Sequence, residues 1–176
     1  MSNLETELVL MSSNKLYIKL ATKDDSKDIL LWRNDPTTLL YTPSNKKITR
    51  AEHDSWFSKK LKCQDSDILI IFKESSKVGM IRFDYFKDYS EISINLNPEF
   101  RGNNLSSLSI EKGIDFIKSL GIPAKPIIAK IKSNNIASIK SFEKSGFNRI
   151  ELREALAEII ENPQSGWLYY VFDYLS

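Results

Sequence analysis

The stretch from Glu91 to Leu108, E-I-S-I-N-L-N-P-E-F-R-G-N-N-L-S-S-L, holds the densest set of groups in this chain that could do chemistry. Arg101-Gly102-Asn103-Asn104 is a short polar loop of residues that tolerate unusual backbone angles. Leu105 opens a helical pattern in which Ile110, Ile114 and Ile117 fall at i, i+4 and i+7. A loop of that kind at a helix start presents a row of free backbone N–H groups, to which the helix dipole adds roughly half a positive charge. The chemistry this spacing supports is anion binding, and phosphate is the usual anion. The same spacing also fits an ordinary strand-to-helix connection.

Position is supplied by the flanking elements. Ile92, Ile94 and Leu96 alternate with Glu91, Ser93 and Asn95, which is the period of a strand, and Pro98 stops it. Upstream, Leu16 to Leu20 reads as a short strand and Asp24 to Asn34 as a helix ended by Asp35-Pro36. Thr37 to Ile48 reads as a loop. Thr49-Arg50-Ala51-Glu52 has the spacing of a capping box and opens a helix carrying His53, Trp56, Phe57 and Leu61. Ile68 to Phe72 and Val78 to Phe86 read as a hairpin leading into the Glu91 strand. Downstream come a strand at Pro126 to Ile131 and a helix with Ile136, Ile139 and Phe142, ended by Gly146 at the C′ position. Two closing strands follow, Phe147 to Leu152 and Trp167 to Leu175, around a segment from Arg153 to Ser165 that is helical in part. This order mixes hairpins with one or two crossovers, so the fold class is α+β.

Composition bounds the rest. The 176 residues, 41% hydrophobic and 27% charged, suit one soluble domain, read as 14–176 behind a flexible leader at 1–13. A net charge of +2 with dispersed basic residues gives no reason to expect a nucleic-acid partner. No stretch approaches the ~20 apolar residues of a membrane span, and no signal peptide is visible. The single cysteine, Cys63, cannot form an internal disulfide and suits a reducing, cytoplasmic setting. One histidine, one cysteine and scattered carboxylates give no metal-ligand spacing.

The runs Glu91-Ile-Ser-Ile-Asn-Leu-Asn-Pro-Glu-Phe-Arg-Gly102 and Asn135-Ile-Ala-Ser-Ile-Lys-Ser-Phe-Glu-Lys-Ser-Gly-Phe147 resemble the GNAT family of acetyl-coenzyme A-dependent N-acetyltransferases. The likeness runs from Leu16 to Leu175. Together with Trp32-Arg33-Asn34-Asp35-Pro36 and His53-x-x-Trp56-Phe57, the pattern looks most like the GNAT domains of nucleotide-linked aminosugar pathways, such as those of nonulosonic acids. The resemblance implies a mixed, mostly antiparallel sheet of six to seven strands flanked by about four helices. It also implies acetyl-coenzyme A as cosubstrate, a small-molecule amine as acceptor and no metal; the assembly state stays open, a homodimer included.

Residue by residue, the resemblance puts the cofactor diphosphate on Arg101, Gly102, Asn103, Asn104, Leu105, Ser106 and Ser107. Asn104 and Ser106 stand where the family has small residues, which weakens binding without abolishing it. Main-chain groups at Ile94 and Leu96 would polarise the thioester carbonyl and pair with the pantetheine arm. Asn135 matches a position that hydrogen-bonds that arm, and is equally a helix cap. Phe142 occupies the place of a tyrosine that protonates the thiolate, and it cannot donate a proton. Ser138, beside the cofactor, is the substitute donor. Glu91 is the first candidate for general base and His53 the second, His53 being also a substrate contact or a structural residue. Trp32, Tyr41 and Trp56 are core residues or walls of the acceptor site. The alternatives are a GNAT acting on protein N-termini, polyamines or other small amines, and a catalytically silent acyl-coenzyme A binding module.

Overall fold

Alternating apolar residues and capping side chains decide where this chain changes from strand to helix. The structure is a computed structural model that describes residues 15–150 and 165–173. Its strands are β1 (Leu16–Leu20), β2 (Ser66–Lys73), β3 (Ser76–Tyr85), β4 (Ser90–Leu96), β5 (Ile127–Lys132), β6 (Asn148–Ile150) and β7 (Trp167–Phe172). The helices are α1 (Ser26–Arg33), α2 (Pro36–Leu40), α3 (Arg50–Lys60), α4 (Leu105–Ser119) and α5 (Ile136–Lys144), with 3-10 turns at Lys23–Asp25 and Pro98–Phe100. The capping box forms as its spacing requires: the Thr49 N–H donates to Glu52 Oε2 at 2.6 Å, and the Glu52 N–H donates to Thr49 Oγ1 at 3.2 Å.

Two readings of the sequence need correction. The segment taken as a loop from Thr37 to Ile48 begins inside helix α2. Asp35 caps it, its Oδ1 accepting the Thr38 N–H at 3.1 Å, and Pro36 sits at its first position, where a missing N–H costs nothing. Asp35-Pro36 therefore ends one helix and starts the next. With α2 counted, the described residues hold five α-helices where about four were expected. The leader at 1–13 and nearly all of the Arg153 to Ser165 segment lie outside the described residues, as do the ends of the two closing strands beyond Ile150 and Asp173.

The seven strands form one sheet in the order β1-β2-β3-β4-β5-β7-β6. Every neighbouring pair is antiparallel except β4 and β5, which run parallel and are joined through α4. Helices α4 and α5 cover one face, burying Leu69, Ile71, Ile81, Phe83, Ile92, Ile110, Ile117, Ala129, Phe142 and Tyr170. Each large side chain of that set contributes about 1.5–3 kcal/mol by leaving water, so this layer holds the sheet rigid. Helices α1 and α3 cover the β2–β3 end of the other face through Ile29, Trp32, Phe57, Ile68, Ile70 and Met80.

Candidate active site

The central feature is a split in the sheet. Strands β4 and β5 pair only at Ser90–Ile127, Glu91–Ile128 and Ile92–Ala129. Beyond Ile92, β4 continues to Leu96 against β3 alone, and β5 continues to Lys132 against β7 alone. The Ser90 N–H donates across to the Pro126 carbonyl at 2.9 Å. Because main-chain groups alternate sides along a strand, those of Ile94 and Leu96 also point toward β5 and face the gap. Their side chains pack on the α4 face, so the gap is lined there by backbone.

The split opens toward the Arg101–Asn104 loop. Gly102 has φ +79° and Asn104 φ +55°, so both lie in the left-handed region. An asparagine tolerates that region better than other side-chain residues do, which is how the loop keeps its turn without a second glycine. A Cβ built at Gly102 meets nothing within 4 Å, so the loop's outer face is open. Asn104 makes no side-chain cap, and the first-turn N–H groups of α4 have no intrahelical acceptor. Leu105 and Ser107 are buried against the core while Gly102, Asn103 and Asn104 are exposed. This arrangement fits a diphosphate held by main-chain N–H groups.

Arg101 itself is committed elsewhere. Its guanidinium donates to Asp35 Oδ1 at 2.5 Å, to Thr38 Oγ1 at 2.8 Å and to the Leu96 carbonyl at 3.1 Å. Burial alone would raise the Asp35 pKa, but Arg101 and the Thr38 N–H outweigh it and hold the carboxyl below its ordinary value. Asn34 closes the same segment into a loop, its side chain accepting the Ile48 N–H at 2.9 Å and donating to the Ile48 carbonyl at 2.8 Å. Thr38 Oγ1 lies 3.2 Å from Asn95 Oδ1 on β4, and Lys132 Nζ on β5 donates to the Leu40 carbonyl at 3.0 Å and to Asn45 Oδ1 at 2.8 Å. Residues 34–48 thus form a strap tied to both arms of the split.

Below the strap, the sheet face opposite α4 is charged. Glu91 lies directly across from Asp84, and Ser93 across from Arg82. Lys60 and Arg82 pair with Asp84, Arg82 at 2.8 Å though not aligned as a hydrogen bond, and Lys130 pairs with Glu91. Burial would raise the Asp84 pKa; Arg82 and Lys60 overcome it and keep the carboxyl ionised below its usual range. The Arg82 guanidinium also lies 5.7 Å from the Trp56 ring centre. Lysines at alternating positions, Lys130 and Lys132, in an otherwise apolar strand were the signal for this surface that the sequence reading passed over.

The expected residues fall into two groups. Glu91 stands at the closed end of the split, partly buried, in contact with Lys130. Ser138 is half-buried on α5, its N–H capped by Asn135 Oδ1 at 3.2 Å, so Asn135 is a helix cap. Tyr41 and Trp56 are half-buried beside the strap and the charged face. His53 and Trp32 go elsewhere. His53 is 0% exposed, stacked 5.5 Å from the Phe57 ring, with neither ring nitrogen hydrogen-bonded. Burial pushes its pKa below the ordinary value, which disfavours the protonated form it would need to carry a proton. Its ring packs against Phe57 and lies near Trp56. Trp32 is 3% exposed and packs between α1 and the sheet. Phe142 is buried edge-on to Phe147 at 4.9 Å and lies in the core beneath α5. No group of three or more potential metal ligands occurs among the described residues, and none of their helices is long and apolar enough to cross a membrane.

Comparison with known proteins places this geometry. The family model of the acetyltransferase (GNAT) domain matches residues 15–148. An uncharacterized protein of Methanocaldococcus jannaschii is 26% identical over 164 residues, covering 90% of this chain; the chain spans 31% of that protein's length. The fold is shared with spermidine N-acetyltransferase of Vibrio cholerae in complex with coenzyme A and spermine, at 14% identity and TM-score 0.70, covering 89% of this chain and 92% of that one. It is shared also with the N-acetyltransferase PseH of Campylobacter jejuni in complex with acetyl coenzyme A, at 14% identity and TM-score 0.65, covering 91% and 99%. The family match extends over the split strands, the left-handed loop and the capped α5, and the chain belongs to the GNAT acetyltransferase family.

Proposed function

We propose that this chain transfers the acetyl group of acetyl-coenzyme A to a primary amine on a nucleotide-linked amino sugar, by direct attack in a ternary complex. The observation that carries the reading is the parting of β4 from β5 directly above the Gly102–Asn104 loop and the free N–H groups of α4. Two features support the acceptor class: the sequence likeness carried by the Trp32–Pro36 and His53–Phe57 stretches, and the surplus of cations on the charged face.

Bound acetyl-coenzyme A supplies the activated acyl group as a thioester. The amides from Gly102 to Ser107 would hold its diphosphate, and the backbone of Ile94 and Leu96 would align the arm and polarise the carbonyl. Glu91 would take a proton from the acceptor's ammonium, with Lys130 fixing the carboxylate's orientation, so that the neutral amine can form the new C–N bond as the C–S bond breaks. The Ser138 hydroxyl donates a hydrogen bond to the departing sulfur. Coenzyme A release would be followed with uridine diphosphate-linked amino sugars, peptides and polyamines as acceptors. Release with the first group alone is expected. Glu91→Gln is expected to lower kcat by about 10²–10⁴-fold with the KM for acetyl-coenzyme A unchanged. The reading fails if acetyl-coenzyme A neither raises the melting temperature nor binds at millimolar concentration.

One observation favours a second reading. Phe142 is buried and apolar where the family carries a phenol, which suits a silent acyl-coenzyme A binding module. Cofactor binding without turnover on any amine would select it.

A further inference from the structure

The cations around the split are not equivalent. Lys60 and Arg82 share Asp84, and Lys130 meets Glu91. Lys132, on the free arm of β5, has only uncharged partners among the described residues: the Leu40 carbonyl, Asn45 Oδ1 and, 5.8 Å away, the ring of Trp167. Among the described residues no carboxylate lies within ion-pair distance of it. Strand alternation puts Lys132 on the same face as Glu91 and Lys130, since Glu91 pairs with Ile128. It stands two residues from Lys130 toward the open end and four from Ile128, the partner of Glu91, about 13 Å along the strand.

We infer that Lys132 is the anion-recognising residue of the acceptor site, binding the phosphate of a nucleotide-linked acceptor at the strap end of the split while the amine lies at the Glu91 end. This rests on the acetyl-transfer reading above and narrows its acceptor to one carrying a phosphate. The physical reason is charge. An ammonium satisfied only by a carbonyl and an amide oxygen keeps its full positive charge for a ligand, whereas Arg82 and Lys130 spend theirs on carboxylates. The indole of Trp167 beside it offers a flat apolar surface next to that charge.

The test is calorimetric titration of uridine diphosphate into the protein saturated with coenzyme A, so that the α4 loop is already filled. Wild type, Lys132→Gln, Lys132→Arg and Asn45→Gly are compared. Asn45 has φ +52°, so glycine removes its side-chain contact with Lys132 while keeping the turn. Lys132→Gln is expected to weaken binding about tenfold or more, with Lys132→Arg and Asn45→Gly staying within about threefold of wild type. Equal binding by wild type and Lys132→Gln would overturn the inference. So would a loss in Asn45→Gly as large as in Lys132→Gln, which would make the lysine a strap anchor only, or no binding of uridine diphosphate by the saturated wild type. Failure of coenzyme A itself to bind is a separate result: it removes the acetyl-transfer reading, and titration of the free protein still reports on Lys132.

Discussion

Asn104 shows how one residue can hold a loop in shape. Its φ of +55° costs an asparagine little, but would cost a β-branched residue about 1–2 kcal/mol. Asn104→Val is therefore expected to destabilise the protein by about that amount and to weaken coenzyme A binding, whereas Asn104→Gly should keep or improve both. Thermal melts with and without coenzyme A check the pair; equal affinity in the valine variant would show that the loop amides do not grip the cofactor. At the same scale, Glu91 and Asp84 are two carboxylates side by side whose partners differ. Asp84 is locked by two cations, while Glu91 meets one and stands beside the gap, which is why the proton-accepting role is proposed for Glu91.

Among the elements, the strap from Asn34 to Ile48 is the one whose position depends on charge. The Asp35 carboxyl is held below its ordinary pKa by Arg101, so its contribution is complete above the ordinary carboxylate range and is lost as pH falls through the lowered value. Asp84 and Asp25 behave in the same sense, Asp25 through Lys77. Asp35→Asn is expected to cost about 1 kcal/mol at neutral pH, and to make the melting temperature fall less on acidification than it does in wild type. It should also raise the KM for the amine more than the KM for acetyl-coenzyme A, because the strap lies on the face opposite α4. A melt series from neutral to acid pH, with the two KM values, tests both statements. An unchanged acid slope would mean that the ion pair does not anchor the strap.

For the molecule as a whole, the two halves of the sheet are backed by a pair of packed helices, α4 behind β1, β3 and β4 and α5 behind β5. Gly113 on α4 makes that close approach: a Cβ there would meet Ile81 Cδ1 at 2.7 Å, and Ile81 is 0% exposed. Alanine would gain about 1 kcal/mol of helix propensity but overpack the layer by about 1–3 kcal/mol. Gly113→Ala should therefore be net destabilising by about 1 kcal/mol, read from denaturant midpoints. A stabilised variant would show that α4 can lift from the sheet without cost.

Much of this was legible in the chain because the deciding interactions are local. Strand alternation, the Thr49–Glu52 cap, the Asn135 cap, Gly146 as a helix stop and an asparagine in the left-handed turn each act over a few residues. The motif around Glu91 and the one from Asn135 to Phe147 carried the family. Local pattern misjudged the Asp35-Pro36 junction because the same two residues both end and begin a helix. It could not tell where His53 and Glu91 would lie either: only packing decided that His53 would be sealed beside Phe57 while Glu91 stayed partly exposed beside Lys130. The pairing of Arg101 with Asp35, 66 positions away, and of Lys132 with Asn45, 87 positions away, was equally out of reach. Sequence alone determined which segments are strands and helices and where an anion could be held, since those depend on neighbours in the chain. The third dimension decided which charges are neutralised, which stay available and where the sheet parts, since those depend on contacts between residues that the chain keeps far apart.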